Sequence, residues 1–200
     1  MVITIGREYG SGGKYIGEQL AERMNMKLYD KELIARVAEE EKIDINLLEA
    51  NDEKKRDSFW STALATYPSV MSVSDLSNNE KAFLRTSKVI EELAEKEDCI
   101  IIGRCSNIVL KDKKNVINVF VYASDMDFKV KRKMQFDGLS EKDTIKQIKK
   151  QDKERAVYYN YHTGGTWGDK KEYDICIDTS KVGIENTIKL IEAYCALKRG

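Results

Sequence analysis

The first seventeen residues constrain the fold more than any other stretch, because an apolar run enters a glycine-rich turn and then a helical pattern. Residues 2–5 are typical of a β-strand, and glycines follow at positions 6, 10, 12 and 13. From Ile16 onward, apolar residues recur at spacings of three and four, which indicates one face of a helix. A glycine loop between a strand and a helix N-terminus is typical of phosphate binding by backbone N–H groups.

The loop departs from the consensus G-x-x-x-x-G-K-[ST] of phosphate-binding loops. If Gly12 is the glycine that precedes the lysine, Gly13 occupies the lysine position and Tyr15 the hydroxyl position. Lys14 then lies one place further on, and Arg7 could add a second positive charge. The sequence favours phosphate binding here and leaves open a tight strand-to-helix turn without a ligand.

Length and charge narrow the class of protein. Two hundred residues fit one α/β domain. Lys and Arg together number 34, as do Asp and Glu, and this balance argues against nucleic acid as the main partner. No apolar run of 18 residues and no signal-peptide pattern is present, so we expect a cytoplasmic protein without a membrane partner. The four cysteines form no C-x-x-C pair and are expected to be reduced and buried. The chain has one histidine, which argues against a histidine-based metal site and against a Ser-His-Asp triad.

Strand-like and helical patterns alternate along the rest of the chain, which predicts a mostly parallel sheet covered on both faces. Asp30 is expected to cap a helix that runs through Ala38, and Asp44 to cap a short one. Residues 51–79 are polar and Ser-rich and are predicted to form a mobile insertion with some helix. Further strands are predicted at 99–102, 116–123 and 173–178, and helices at 80–97, 127–136, 141–159 and 184–197.

Ligands of such sheets bind at the carboxyl ends of the strands. Arg104 directly follows the apolar run 99–102, so a ligand role is expected for it. The basic helical arm at 129–155 also carries acidic residues, and its charge pattern slightly favours a solvated face. Asp30 could cap its helix or accept from a base or sugar, and His162 is interpreted as an ordinary loop residue.

Six segments together resemble the cytidylate kinase-like family, which is related to P-loop nucleoside monophosphate kinases. The resemblance implies a three-layer P-loop NTPase-type parallel sheet with helices on both faces in a single domain, 1–200. It also implies an acceptor-binding region at 30–80 that contains the insertion, and a helical lid at about 127–172. The segments are 6–13, 28–34, 101–105, 152–159, 167–169 and 173–180.

The resemblance also implies an ATP-dependent phosphoryl transfer with Mg²⁺, and it assigns roles by position. Donor phosphates and adenine would be bound by Gly10, Ser11, Gly12, Gly13, Lys14, Tyr15, Thr179 and Ser180. The acceptor nucleotide would be bound by Asp30, Arg36, Gly103 and Arg104. The catalytic set would be Lys14 and the lid residues Arg132, Asp152 and Arg155, with Lys129 beside them.

True cytidylate kinases have an aspartate on each side of the glycine-arginine pair, whereas this chain has Ile102 and Cys105 there. The metal ligands and the acceptor are therefore left open. CMP and dCMP are the first acceptors to consider. A nucleotide-binding sensor with a degenerate loop and a kinase of another small phosphorylated acceptor are alternatives. Trp60, Tyr67 and the apolar pair Val70-Met71 offer a contact patch for a homo-oligomer.

Overall fold

A computed structural model of the chain describes residues 1–40 and 75–199, and its centre is a five-stranded, wholly parallel sheet with the strand order β2-β3-β1-β4-β5. The predicted parallel α/β sheet is confirmed. Strand β1 runs two residues further than predicted, because Gly6 and Arg7 continue its pairing with β4. The strands are β1 (Val2–Arg7), β2 (Lys27–Tyr29), β3 (Cys99–Ile102), β4 (Val116–Tyr122) and β5 (Ile175–Asp178).

The described helices follow the predicted order, with some changed boundaries. They are α1 (Gly13–Met24), α2 (Lys31–Glu40), α3 (Asn78–Lys96), α4 (Ser106–Val109), α5 (Met126–Asp137), α6 (Glu141–Thr163), α7 (Thr179–Val182) and α8 (Ile184–Arg199). The short helices α4 and α7 and a 3₁₀ turn at Lys170–Glu172 were not predicted. The predicted helix capped by Asp44, most of the insertion 51–79 and the patch with Trp60 and Tyr67 lie outside the described residues.

Two predicted boundaries were wrong for identifiable reasons. Helix α3 includes Asn78 and Asn79, which had been placed in the insertion, because Ser77 and Glu80 form a capping box at its start. Helix α6 continues to Thr163, so His162 is helical and buried rather than in a loop. Gly164 ends α6 at φ 67°, a left-handed conformation that glycine adopts readily.

The sheet is covered on both faces, as its continuous apolar strands predict. Side chains of β1 and β3 alternate between two cores: Ile3 and Ile100 pack with α1 and α8, whereas Cys99 and Ile101 pack with α2 and α3. All four cysteines are free, and Cys176 is exposed rather than buried. None of the described helices is long and apolar enough to span a bilayer.

The topology brings the chemistry-bearing loops to one edge. Strand β1 lies between β3 and β4, so the chain connections diverge at its carboxyl end and leave a crevice there. Hydrogen bonds fix the chain on both sides of this crevice: Gly103 N–H donates to Ile5 O and Glu8 N–H to Val121 O, both at 3.0 Å.

Candidate functional site

The glycine loop, residues 8–13, connects β1 to α1, and the loop and the first turn of α1 together keep most of their backbone donors unused. Ser11 N–H donates to Glu8 O at 3.4 Å, and the Ser11 hydroxyl donates to the same oxygen at 2.8 Å. Within the described part of the chain, five neighbouring N–H groups meet no acceptor: those of Gly10, Gly12, Gly13, Lys14 and Tyr15. Together with the positive end of the α1 dipole, these donors fit an anion such as a phosphate group.

Gly10 and Gly12 allow the basic helix α5 to pack directly on this loop. Their φ angles are 85° and 91°, in the left-handed region. A Cβ on Gly10 would stand 2.9 Å from the Cβ of Lys129, and a Cβ on Gly12 would stand 3.4 Å from Nε of Arg132. The Arg132 guanidinium therefore lies beside the loop, and it also contacts the ring of Tyr15 at 5.6 Å.

The side chain of Lys14 forms an ion pair with Asp30. Its Nζ donates to Oδ2 of Asp30 at 3.1 Å, and this hydrogen bond raises the pKa of Lys14. The other oxygen of Asp30 accepts from the N–H groups of Glu32 and Leu33, both at 3.1 Å, so Asp30 caps α2 as predicted. Tyr15, in the hydroxyl position of the loop, is 45% exposed.

A buried ionic network joins α5 and α6 to the glycine loop. Lys129 is 6% exposed, and its Nζ lies 2.6 Å from Oε2 of Glu8 and 3.5 Å from Oδ2 of Asp152. Asp152 also accepts from Tyr9 N–H at 2.6 Å. Burial raises the pKa of Asp152, although Tyr9 N–H and Lys129 oppose this effect. The preference for a solvated basic face was therefore wrong for Lys129, whereas Lys146, Lys149 and Lys150 on α6 are exposed.

A cavity of about 300 Å³ opens at the ends of β1 and β3, beneath α6. Three arginines line it, and aromatic rings form much of the remaining wall. The arginines are Arg7, Arg104 and Arg155, and the aromatic residues are Tyr158, Tyr159, Trp167 and Tyr173. A cavity of this size and lining is suited to a small ligand with a charged group and an apolar or planar body.

The backbone at the end of β3 is strained where it enters this cavity. Gly103 has φ 74°, and Arg104 and Cys105 both have φ 57°. Two consecutive non-glycine residues in the left-handed region cost of order 1–3 kcal/mol each, and such strain clusters at functional sites. The turn directs Arg104 into the cavity, where its guanidinium lies 4.9 Å from the ring centre of Tyr158.

The cavity carries an excess of positive charge. Among the described residues, no carboxylate oxygen lies within 4 Å of the guanidinium nitrogens of Arg7 or Arg104. Nε of Arg104 and the hydroxyl of Tyr158 are buried without a hydrogen-bond partner. Burial lowers the pKa of Arg155, which donates to Arg7 O at 2.9 Å. These groups together favour an anionic ligand.

Other predicted site residues lie elsewhere. Arg36 is exposed on α2 and does not line the cavity. The Thr179 hydroxyl is buried between Ser11 O, at 2.8 Å, and Tyr122 O, at 3.0 Å, so it ties the glycine loop to β4. Asp178 caps the start of α7, and its Oδ1 accepts from both the N–H and the hydroxyl of Ser180. These contacts are structural, and the adenine role of Thr179 and Ser180 stays a prediction.

The loop and the Gly103-Arg104 turn offer few side-chain oxygens as ligands for Mg²⁺. Within residues 1–40 and 75–199 there is no group of three or more histidine, cysteine, aspartate or glutamate side chains that could hold a metal ion. The hydroxyl of Ser11 is used by Glu8 O, and Ile102 and Cys105 flank the Gly103-Arg104 pair. Mg²⁺ bound to a nucleotide would thus depend on phosphate oxygens and water, which it commonly retains.

The positions of three residues at this edge of the sheet were not predicted. Arg7 had been noted only as added charge near the loop, and Glu8 and Tyr9 had no role. Extending the predicted strand 2–5 by two residues would have placed Arg7 at its carboxyl end, where ligands of parallel sheets bind. Glu8 and Tyr9 give no such signal, because their partners Lys129 and Asp152 are more than 110 residues away.

Comparison with known proteins identifies the chain by family. An uncharacterized protein from Eubacterium ventriosum is 33% identical, with a TM-score of 0.74 and 98% of each chain covered. Shikimate kinase from Bacteroides thetaiotaomicron shares the fold at 12% identity, with a TM-score of 0.52 and 97% of each chain covered. Among curated proteins, no sequence match was found. The model of the cytidylate kinase-like family matches residues 2–181, and the chain therefore belongs to that family and has a P-loop kinase fold.

Proposed function

We propose that the chain transfers the γ-phosphoryl group of ATP to a nucleoside monophosphate, with CMP and dCMP as the first candidates. Membership of the family supports a nucleotide-binding, kinase-like function. The observation that carries the finer proposal is the pairing of two anion sites at one sheet edge. One is the glycine loop with its five unused N–H groups, and the other is the cavity with its three arginines.

The donor phosphates would be bound by the N–H groups from Gly10 to Tyr15, with Arg132 beside them. Arg104 would bind the phosphate of the acceptor, since a guanidinium can bond two phosphate oxygens at once. Asp30 and Arg36 would contact the acceptor nucleoside, and Thr179 and Ser180 the adenine. Lys14 is exposed and lies 3.1 Å from the partly buried Asp30, and it would reach the donor by exchanging this carboxylate for a phosphate oxygen.

In the reaction, an oxygen of the acceptor phosphate forms a bond to the γ-phosphorus, and the bond from the γ-phosphorus to the bridging oxygen of ADP breaks. The electron pair of that bond stays on ADP. The attacking oxygen is already anionic, so this transfer needs no general base. The protein has to align the two phosphates and neutralise their charge, which Arg132 and Arg155 would do from α5 and α6. Asp152 would hold the loop through Tyr9 N–H rather than accept a proton.

The direct test is ADP formation with CMP, dCMP, UMP and AMP at millimolar Mg²⁺. We expect turnover above the enzyme-free blank with at least one acceptor, and CMP or dCMP ahead of the others. No turnover with any of the four would contradict the nucleotide-kinase proposal. Turnover only with a different phosphorylated compound would instead support the third alternative, a kinase of another small phosphorylated acceptor.

A second candidate is a nucleotide-binding sensor that does not catalyse transfer. Two observations favour it: Gly13 occupies the lysine position of the loop, and Lys14 is paired with Asp30. Calorimetry with ATP separates the two proposals. Micromolar affinity together with no turnover of any acceptor would favour the sensor, whereas turnover would exclude a purely sensory role.

A further inference from the structure

The side chain of Arg7 extends from the glycine loop to the cavity lined by Arg104 and Arg155. Its side chain begins beside the loop, since a Cβ on Gly13 would stand 2.5 Å from the Cβ of Arg7. It ends against the turn after β3, because a Cβ on Gly103 would fall on the guanidinium of Arg7. The side chain of Arg7 therefore runs between the donor phosphate site and Arg104, and the absence of a Cβ at both glycines makes room for it.

Two of the charges that act on Arg7 have the same sign as its own, and the carboxylate of Asp30 opposes them from a distance. Arg104 and Arg155 line the same cavity, and within the described residues no carboxylate oxygen is within 4 Å of Arg7. Burial, and then the charge of Arg155, lower the pKa of Arg7 to about 9. Removing a charged group from water without a partner of opposite sign costs free energy. An anion in the cavity would supply that partner for Arg7 and for Arg104 together.

The chemical class of the anion follows from the whole lining. Lys31 adds a fourth positive charge to the cavity, and Glu154 is its one lining carboxylate among the described residues. A dianion compensates this excess better than a single carboxylate does. The ends of three guanidinium forks also suit several oxygens on one centre, as in a phosphate group.

We propose that Arg7 binds the phosphate group of the acceptor together with Arg104 and Arg155, and that it supplies from the end of β1 the positive charge missing at Gly13. The inference rests on the proposed function and narrows it, since it restricts acceptors to phosphate monoesters. Arg155 has Oδ1 of Asp152 at 3.8 Å, but a neutral hydroxyl compound would leave the guanidinium groups of Arg7 and Arg104 uncompensated. A nucleoside monophosphate satisfies them, and its planar base suits the aromatic wall with Trp167 and Tyr158.

The test measures phosphate binding without ATP, so it does not depend on turnover. In a Trp60→Phe background, Trp167 is the remaining tryptophan, and its fluorescence reports on the cavity that it lines. Sodium phosphate is titrated at pH 8 and constant ionic strength into this parent, Arg7→Gln and Lys149→Gln. Lys149 is exposed on α6, so its variant removes one positive charge outside the cavity.

We expect Arg7→Gln to raise the Kd for phosphate at least fivefold and Lys149→Gln to leave it within twofold. A change below fivefold in Arg7→Gln overturns the inference. Circular dichroism checks that each variant is folded. If Arg7→Gln does not fold, Arg7→Lys decides, because it keeps the charge and loses the planar fork. Its Kd must then rise at least threefold, and a smaller rise overturns the inference.

The same variants separate this inference from the proposed function. Arg7-dependent phosphate binding with no turnover of any nucleoside monophosphate contradicts the kinase proposal alone. Turnover of CMP with the same phosphate affinity in Arg7→Gln and its parent contradicts the role of Arg7 alone.

Discussion

Arg104 shows how a single residue can be costly in the free protein and useful with a ligand. It has a left-handed backbone, and its Nε is buried without an acceptor. Among the described residues nothing accepts from Nε, and a bound phosphate group would supply that acceptor. The residue was predicted from sequence by its place after a buried strand, whereas its φ angle and its contact with Tyr158 follow only from the folded chain.

Replacement of Arg104 by alanine is expected to lower kcat/KM at least 100-fold, because loss of one charge-stabilising donor commonly has an effect of that size. Steady-state kinetics with the best acceptor measures it. Arg23→Ala is the matched control, since Arg23 forms an exposed surface pair with Glu185 and should leave kcat/KM within about twofold. A loss below tenfold for Arg104→Ala would show that the residue does not bind the acceptor phosphate.

A substitution at Gly12 tests whether the glycine loop packs against Ile184 at the start of α8. Gly12→Ala and Gly138→Ala both place a side chain at positive φ, which costs about 1 kcal/mol in each case. A Cβ on Gly138 meets nothing within 4 Å, whereas a Cβ on Gly12 collides with Ile184. We expect Gly12→Ala to lose on the order of 1 kcal/mol more in urea unfolding, because the terminal methyl group of Ile184 has to move to make room. Equal losses in the two variants would mean that the loop is not packed against α8 as described.

At the scale of elements, α5 and α6 are fastened to the glycine loop by the network of Glu8, Lys129 and Asp152. The helices themselves were predicted from their caps and periodicity. Their attachment to the loop was not predicted. The charge pattern of a fully solvated helix is the same as that of a helix in which one lysine, here Lys129, is buried. Only the glycines at 10 and 12 hint that another element approaches the loop closely.

Lys129→Met is expected to destabilise the protein by about 3–5 kcal/mol, because it leaves two carboxylates without their buried partner. Lys146→Met removes an exposed pair with Asp143 on α6 and should cost less than about 1 kcal/mol. Urea unfolding of both variants measures the difference. A loss for Lys129→Met as small as that of the control would show that the network does not hold α5 on the loop.

His162 links α6 to α3 and gives the protein a predicted pH dependence. It is buried and stacked on Phe83 at 4.2 Å, and burial, then Arg104, lower its pKa to about 4, against the opposing charge of Glu80. The unfolded chain, with an ordinary histidine pKa near 6.5, then binds more protons between about pH 4 and 6.5. Stability should therefore fall as the pH falls through this range.

The measurement is the free energy of unfolding between pH 4.5 and 6.5 for the wild type and His162→Phe. His162 is the one histidine of the chain, so its replacement should flatten most of the slope in this interval. The same slope in both proteins would contradict a neutral, buried His162.

At the scale of the whole molecule, the parallel sheet and the edge that carries the site were predicted from alternating apolar runs. The sequence could not place Arg7, Glu8 and Tyr9, because their roles depend on partners brought together by the fold. Arg7 meets Gly103 across the β1–β3 pair, and Tyr9 meets Asp152 on α6. Lys14 had been expected at the donor phosphates, and the fold instead brings Asp30 within reach of it.

The central claim is that the glycine loop binds the phosphates of a nucleotide, and thermal unfolding with and without ATP tests it most directly. A ligand at 100 times its Kd stabilises the folded state by ~2.7 kcal/mol. We predict that millimolar ATP, with or without Mg²⁺, raises the Tm of the wild type by several degrees. No rise in Tm with ATP, or with any other nucleoside triphosphate, would contradict both the kinase and the sensor.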